Sequence, residues 1–112
     1  MQCTDERKVG DVTVLEVGLQ GLGDIGTGVT NHVRALLAQG RTRLVLNFSA
    51  IKSLDSHGLG DLVASQQAGI RGGARVALCC VHPYVAEPLS IMNVDDLFDV
   101  FESEQEAIQS FG

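Results

Sequence analysis

Tryptophan is absent from this 112-residue chain, tyrosine occurs once and proline twice. No apolar run is long enough to cross a bilayer. The opening segment Met1-Gln2-Cys3-Thr4-Asp5-Glu6-Arg7-Lys8 has no apolar stretch of the signal-peptide kind, so the sequence predicts a cytoplasmic protein without a membrane segment. Basic residues are few: 8 Lys and Arg stand against 14 Asp and Glu, a net charge of −6. That leaves no basic stripe to displace counterions from phosphates and argues against a nucleic-acid partner. The three cysteines, Cys3, Cys79 and Cys80, form no CxxC pair. Cys79 and Cys80 are neighbours on an expected strand, so they are expected to point to opposite faces and to remain buried, reduced thiols. The histidines His32, His57 and His82 are scattered singly, with none spaced i, i+4 on a helix, so no metal site is expected.

What is present is one globular domain spanning 1–112, since a chain of this length cannot fill a second core. Val12-Thr13-Val14-Leu15-Glu16-Val17 alternates and is rich in β-branched residues, which predicts a strand. Gly10-Asp11 before it suits a turn, and the polar stretch before that turn could pair as an exposed edge strand. Gly21 to Gly28 is a glycine-rich loop. Val29, Val33, Leu36 and Leu37 share one face of a following helix that Gly40 closes. Leu44-Val45-Leu46-Asn47-Phe48 is nearly continuously apolar, as in a strand buried on both faces.

A second helix is expected just after Ser56, with Leu59, Leu62, Val63 and Ile70 as its inner stripe and Gly72-Gly73 as its end. Arg75 to Val81 forms another buried strand, parallel to the last through a right-handed crossover. A third helix runs from about Pro83 to Met92, with Pro88 producing a kink or a late start. Phe98-Asp99-Val100-Phe101 is a short last strand. Ser103-Glu104-Gln105-Glu106 is a capping box for a final helix that turns Ala107, Ile108 and Phe111 inward.

Candidate chemistry is sparse. Gly21-Leu22-Gly23-Asp24-Ile25-Gly26 matches GxGxxG between a strand and a helix, where a pyrophosphate could rest. Asp24 within the loop would repel that phosphate. The next strand ends Asn47-Phe48-Ser49, without the acid that binds a ribose, and no cofactor is expected. Ser56 lacks the glycine two positions earlier that a nucleophile elbow requires, and His57 beside it diverges from it at a helix start, so catalysis is not expected. Ser56 also has a plain structural role as an N-cap. Its surroundings add to that role: Asp55 is acidic, and Gly58 and Gly60 leave the first turn with little side-chain cover, open to another protein.

The run Leu54-Asp55-Ser56-His57-Gly58-Leu59-Gly60 resembles the signature of the STAS domain, found in bacterial anti-sigma factor antagonists. The resemblance extends over Val45-Leu46-Asn47-Phe48, Gly72-Gly73-Ala74-Arg75-Val76, Met92-Asn93-Val94-Asp95-Asp96-Leu97-Phe98 and the tail Phe101 to Ala107. It implies a mixed, mainly parallel α/β sheet of four or five strands with four helices packed mainly on one face. It implies a non-enzymatic partner switch, in which the unmodified chain binds an anti-sigma factor that is a serine kinase. Phosphorylation at the position of Ser56 then releases it and a phosphatase restores it. The family's aspartate matches Asp55 and its glycine matches Gly58. His57 stands where many members carry Ser, Thr or Ala. In the loop after the early strand Asp24 matches the family's acid, and Asp24, Asp55, His57 and Gly58 are the expected partner contacts. STAS-like domains also serve as unphosphorylated scaffolds or transporter-associated subunits, including in phospholipid trafficking, which is the alternative function.

Overall fold

A two-residue turn at Gly10-Asp11, with Gly10 at φ 59, folds the first two strands against each other. The computed structural model describes residues 2–18, 28–52, 54, 56–91 and 98–111. Strands β1 (Gln2–Val9) and β2 (Val12–Gly18) are antiparallel, with Val9 opposite Val12 and an irregularity between Cys3 and Asp5. The polar segment is thus the edge strand that the turn suggested. Strands β3 (Arg43–Asn47), β4 (Arg75–Cys79) and β5 (Asp99–Phe101) follow β2 in parallel, in the order β1-β2-β3-β4-β5.

Alternation along the central strands divides the core in two. Leu15, Leu44, Leu46, Val76 and Leu78 face helices α1 (Val29–Ala38), α2 (Ser56–Arg71) and α3 (Pro83–Ile91), meeting Val33, Leu36, Leu62, Val85 and Leu89. Val12, Val14, Val45 and Cys79 face the other way, where Ala107 of α4 (Glu104–Gln109) packs with Ile108 and Phe111 beside it. Among the described residues three helices therefore cover one face and one covers the other, as the resemblance implied.

Glu104 fixes α4 to the sheet. It takes two hydrogen bonds from the Arg7 guanidinium of β1, at 2.5 and 3.0 Å, and one from Asn47 Nδ2 of β3 at 3.0 Å. The bonds from Arg7 chiefly hold the Glu104 carboxyl below its ordinary value, against an opposing effect of burial, and Asn47 adds to them. Ser103 caps the same helix by accepting from Glu106 N–H at 3.2 Å.

Both long helices end as their glycines require. Gly40 has φ 80 and Gly73 φ 74. Arg41 N–H returns to the Leu36 carbonyl and Ala74 N–H to the Gly69 carbonyl, at 3.0 and 2.8 Å, closing Schellman motifs.

Three expectations are corrected. Ile70 was expected on the inner face of α2 but is 61% exposed; the buried positions are Gly58, Leu62, Ser65, Gln66 and Gly69. Leu59, Leu62 and Val63 do pack on the core, but a Cβ at Gly69 would lie 2.7 Å from Val76 Cγ2, so this part of the helix sits too close to β4 for a bulky side chain. Cys79 and Cys80 were expected on opposite faces, yet both pack on the Ala107 side. The strand ends at Cys79 and Cys80 turns to φ 61, which breaks the alternation. Burial pushes the Cys79 thiol well above its ordinary pKa, so it stays protonated. Of the two outcomes expected at Pro88, the late start is excluded: α3 begins at Pro83, whose missing N–H costs nothing in a first turn, and continues to Ile91.

Candidate functional site at the start of the second helix

The connection from β3 to α2 is held down by its apolar residues. Phe48 and Ile51 are fully buried, and Ile51 N–H closes a turn on the Phe48 carbonyl at 2.9 Å. Asn47 Oδ1 accepts from Ser49 N–H at 2.9 Å, an Asx turn that ends the strand. Leu54 and Leu59 pack half-buried against the main core. Between these anchors Ser56 and His57 stand exposed, and Gly58 behind them is buried. A Cβ at Gly60 would meet nothing within 4 Å, so the surface beside the first turn is open.

Ser56 is the first helical residue of α2, a correction to its expected place as the N-cap before the helix. Its hydroxyl makes no hydrogen bond with another described residue, so no described side chain is placed to take its proton. It sits where backbone N–H groups have no partner within the helix and the dipole is positive, a setting that favours an added anion. Asp55 and Asp24 lie outside the described residues, as does the GxGxxG run. Among the sites anticipated from sequence, Ser56, His57 and Gly58 are thus gathered in one helical turn.

A residue that sequence reasoning missed ties this turn to the first helix. Asp61, farther along α2, accepts from Val29 N–H at 2.8 Å, from Thr30 N–H at 3.0 Å and from Thr30 Oγ1 at 2.6 Å. Thr30 Oγ1 also lies 2.9 Å from the Asp61 carbonyl. The N-cap of α1 is Gly28, which has no side chain to offer, so α2 supplies the acceptor. The signal in the sequence was that missing cap. A Cβ at Gly28 would lie 2.8 Å from Asp61 Oδ2, so glycine leaves room for the carboxylate.

A second missed feature follows β4. His82 precedes α3, its carbonyl accepting from Val85 and Ala86 N–H at 2.8 and 2.9 Å. Its Nδ1 accepts from Tyr84 N–H at 3.2 Å, and its ring stacks on Tyr84 with centroids 4.9 Å apart. Tyr84 is 72% exposed. Because β3 and β4 are parallel, Ser56-His57 and His82-Tyr84 both follow the C-terminal ends of their strands, at the same end of the sheet. His32, by contrast, pairs with Glu6 of β1 at 2.7 Å. Among the described residues no group of three or more His, Cys, Asp or Glu side chains is placed to hold a metal ion, and no helix is long and apolar enough to cross a membrane.

The fold has known counterparts. An anti-sigma-factor antagonist (STAS) domain protein from Planctomyces limnophilus matches with a TM-score of 0.77 and 20% identity, over 95% of each chain. An anti-sigma factor antagonist from Mycobacterium paratuberculosis matches at TM-score 0.76 and 19% identity, over 94% of this chain and 89% of the other. The Bacillus cell fate determinant SpoIIAA in its phosphorylated form matches at TM-score 0.67 and 19% identity, over 96% and 98%. No curated protein sequence matches the chain. The family model of the STAS domain matches residues 10–107, from the β1–β2 turn to the buried Ala107 of α4. With that match covering strands β2 to β5, helices α1 to α3 and the turn that carries Ser56, the chain belongs to the STAS domain family.

Proposed function

We propose that this chain is an anti-sigma factor antagonist that works by partner switching. While Ser56 is unmodified, the first turn of α2 binds an anti-sigma factor that is also a serine kinase. The kinase transfers the terminal phosphoryl group of ATP to the Ser56 oxygen, which gives up its proton, and the complex separates. A phosphatase restores the free hydroxyl. His57 contacts the partner beside it, buried Gly58 leaves room behind the turn, and Asp24 and Asp55 are further contacts. The chain supplies a surface and an acceptor hydroxyl, and no catalytic group.

The observation that carries this reading is the exposure of Ser56, whose hydroxyl bonds no other described residue, on a turn pinned by buried Phe48 and Ile51. A modification there meets solvent and helix N–H donors, so the core need not move. The similarity to SpoIIAA, solved in a phosphorylated form, supports it.

The test incubates the purified chain with each anti-sigma factor kinase of the source cell and ATP, then maps any phosphoryl group by tandem mass spectrometry. Modification at Ser56 in the wild type, none in Ser56→Ala, and release of the modified chain from the kinase are expected. Stable binding of a partner without modification of Ser56 leaves the scaffold function instead.

A further inference from the structure

Away from the start of α2, helices α1 and α2 run side by side in the same direction: Asp61 meets Val29 near their beginnings and Gly72 meets Leu37 near their ends. Their outer surface holds a groove of about 250 Å³ lined by Arg34, Leu37, Ala64, Gln67, Ala68 and Arg71. Leu37, Ala64 and Ala68 give it an apolar floor. A Cβ at Gly72 would lie 2.8 Å from Leu37 Cδ1, so glycine there leaves the floor in place.

Two guanidiniums border this floor, and both residues are exposed. Arg7, Arg43 and Arg75 all bond within the fold, to Glu104, the Phe111 carbonyl and Asp99. The side chains of Arg34 and Arg71 make no ion pair or hydrogen bond with another described residue. In a chain of net charge −6 they form a local cationic spot beside an apolar surface.

We propose that this groove docks an acidic, partly apolar peptide segment of a partner protein. A carboxylate lies between Arg34 and Arg71, whose planar forks suit bidentate recognition, and a neighbouring apolar side chain covers Leu37, Ala64 and Ala68. Size favours a peptide over a free metabolite. Small-molecule pockets span about 300–1,000 Å³ and enclose most of their ligand. A groove of about 250 Å³ that opens to solvent holds one or two side chains. The site is separate from the switch: Gln67 lies roughly 17 Å along the helix axis from Ser56 at about 1.5 Å per residue. It therefore stands or falls independently of phosphorylation.

The experiment titrates the full ¹⁵N-labelled chain with a blocked hexapeptide alternating leucine and glutamate, followed by amide NMR. Saturable shifts centred on Leu37, Ala64, Gln67 and Ala68 are expected, weakening as salt rises from about 50 mM to about 500 mM. Arg34→Gln and Arg71→Gln should each raise Kd about threefold and together about tenfold, while Tm stays unchanged. Lys52→Gln, which removes the same charge from an exposed residue outside the groove, should leave Kd unaltered. The proposal is overturned if the groove amides show no saturable shift, if the double variant binds as tightly, or if Lys52→Gln weakens binding equally. Tighter occupation by inorganic phosphate would make it a small-anion site. Concentration-dependent shifts of the same amides without peptide would make it a contact between copies of this chain.

Discussion

Asp61 of α2 holds Thr30 of α1 through two donors: the Asp61 carboxylate accepts from the Thr30 N–H, and the carboxylate and the Asp61 carbonyl share the single proton of the Thr30 hydroxyl. With the further bond from Val29 N–H, the first helix is capped by the second. The start of α1 is thus positioned by the helix whose own first residue is Ser56.

Replacing Asp61 should therefore act at a distance, on α1. Asp61→Ala is expected to cost about 1–2 kcal/mol, the range of a lost helix cap. That lowers Tm by roughly 4–8 °C per kcal/mol for a domain near this size. Asp61→Asn should rescue little. Both carboxylate oxygens accept here, and an asparagine would turn its NH₂ group toward a backbone donor. Hydrogen exchange should quicken in the first turn of α1 more than in α2. Unchanged exchange there would show that the cap contributes nothing.

Two glycines of α2 should respond oppositely to alanine. At Gly69 the new methyl would press on Val76 Cγ2, 2.7 Å away, and overpacking of this kind costs about 1–3 kcal/mol. Gly60 faces open space, so alanine there should gain up to about 1 kcal/mol from helix propensity. Urea unfolding of both variants tests this. Val76→Ala in the Gly69→Ala background should recover part of the loss, because the clash is between those two side chains.

These two cases show where the sequence was readable. Strands β2, β3 and β4 were evident because burial on both faces demands runs such as Leu44-Val45-Leu46. The helix ends were evident because Gly40 and Gly73 occupy left-handed positions. The inner face of α2 was legible in Leu59, Leu62 and Val63 but not at its closest approach to the sheet, where Gly69 meets Val76 of β4 and Ile70 is turned outward. Asp61 was hidden for another reason, as a cap supplied by a different helix leaves no local spacing. Ser56 was found through its neighbours, but its position as first helical residue, and not N-cap, needed backbone geometry.

The Glu104 carboxyl links stability to pH. Its pKa is below the ordinary value in the folded chain, chiefly through Arg7, so the folded state holds its proton less well than the unfolded state does. The stabilisation is complete above the ordinary carboxylate range and is lost as pH falls through the depressed value. Glu104→Gln should cost about 1 kcal/mol at pH 7, since Arg7 is partly solvated. Urea midpoints of wild type and variant should converge as the pH falls through that depressed value to its acid side. A gap that persists at that pH would assign the loss to packing.

Ser56 separates stability from binding. Because it opens the helix and does not cap it, Ser56→Ala should change stability by less than about 0.5 kcal/mol, as a surface substitution does. Ser56→Asp places a negative charge in the first turn, where the dipole makes it worth about 0.3–1 kcal/mol in favour of the fold. The aspartate variant should therefore melt no lower than the alanine variant. Binding should order the other way. A partner packed against a small hydroxyl meets a fixed charge in Ser56→Asp, and a loss of about 2–3 kcal/mol at that contact weakens affinity about thirty- to one-hundred-and-fiftyfold. Ser56→Ala keeps the small, neutral surface and should hold the partner constitutively in the presence of ATP. Thermal melts and partner affinity, measured on the same three proteins, decide the matter. If Ser56→Asp binds as tightly as wild type and the partner leaves Ser56 unmodified, this turn is a docking surface without a switch.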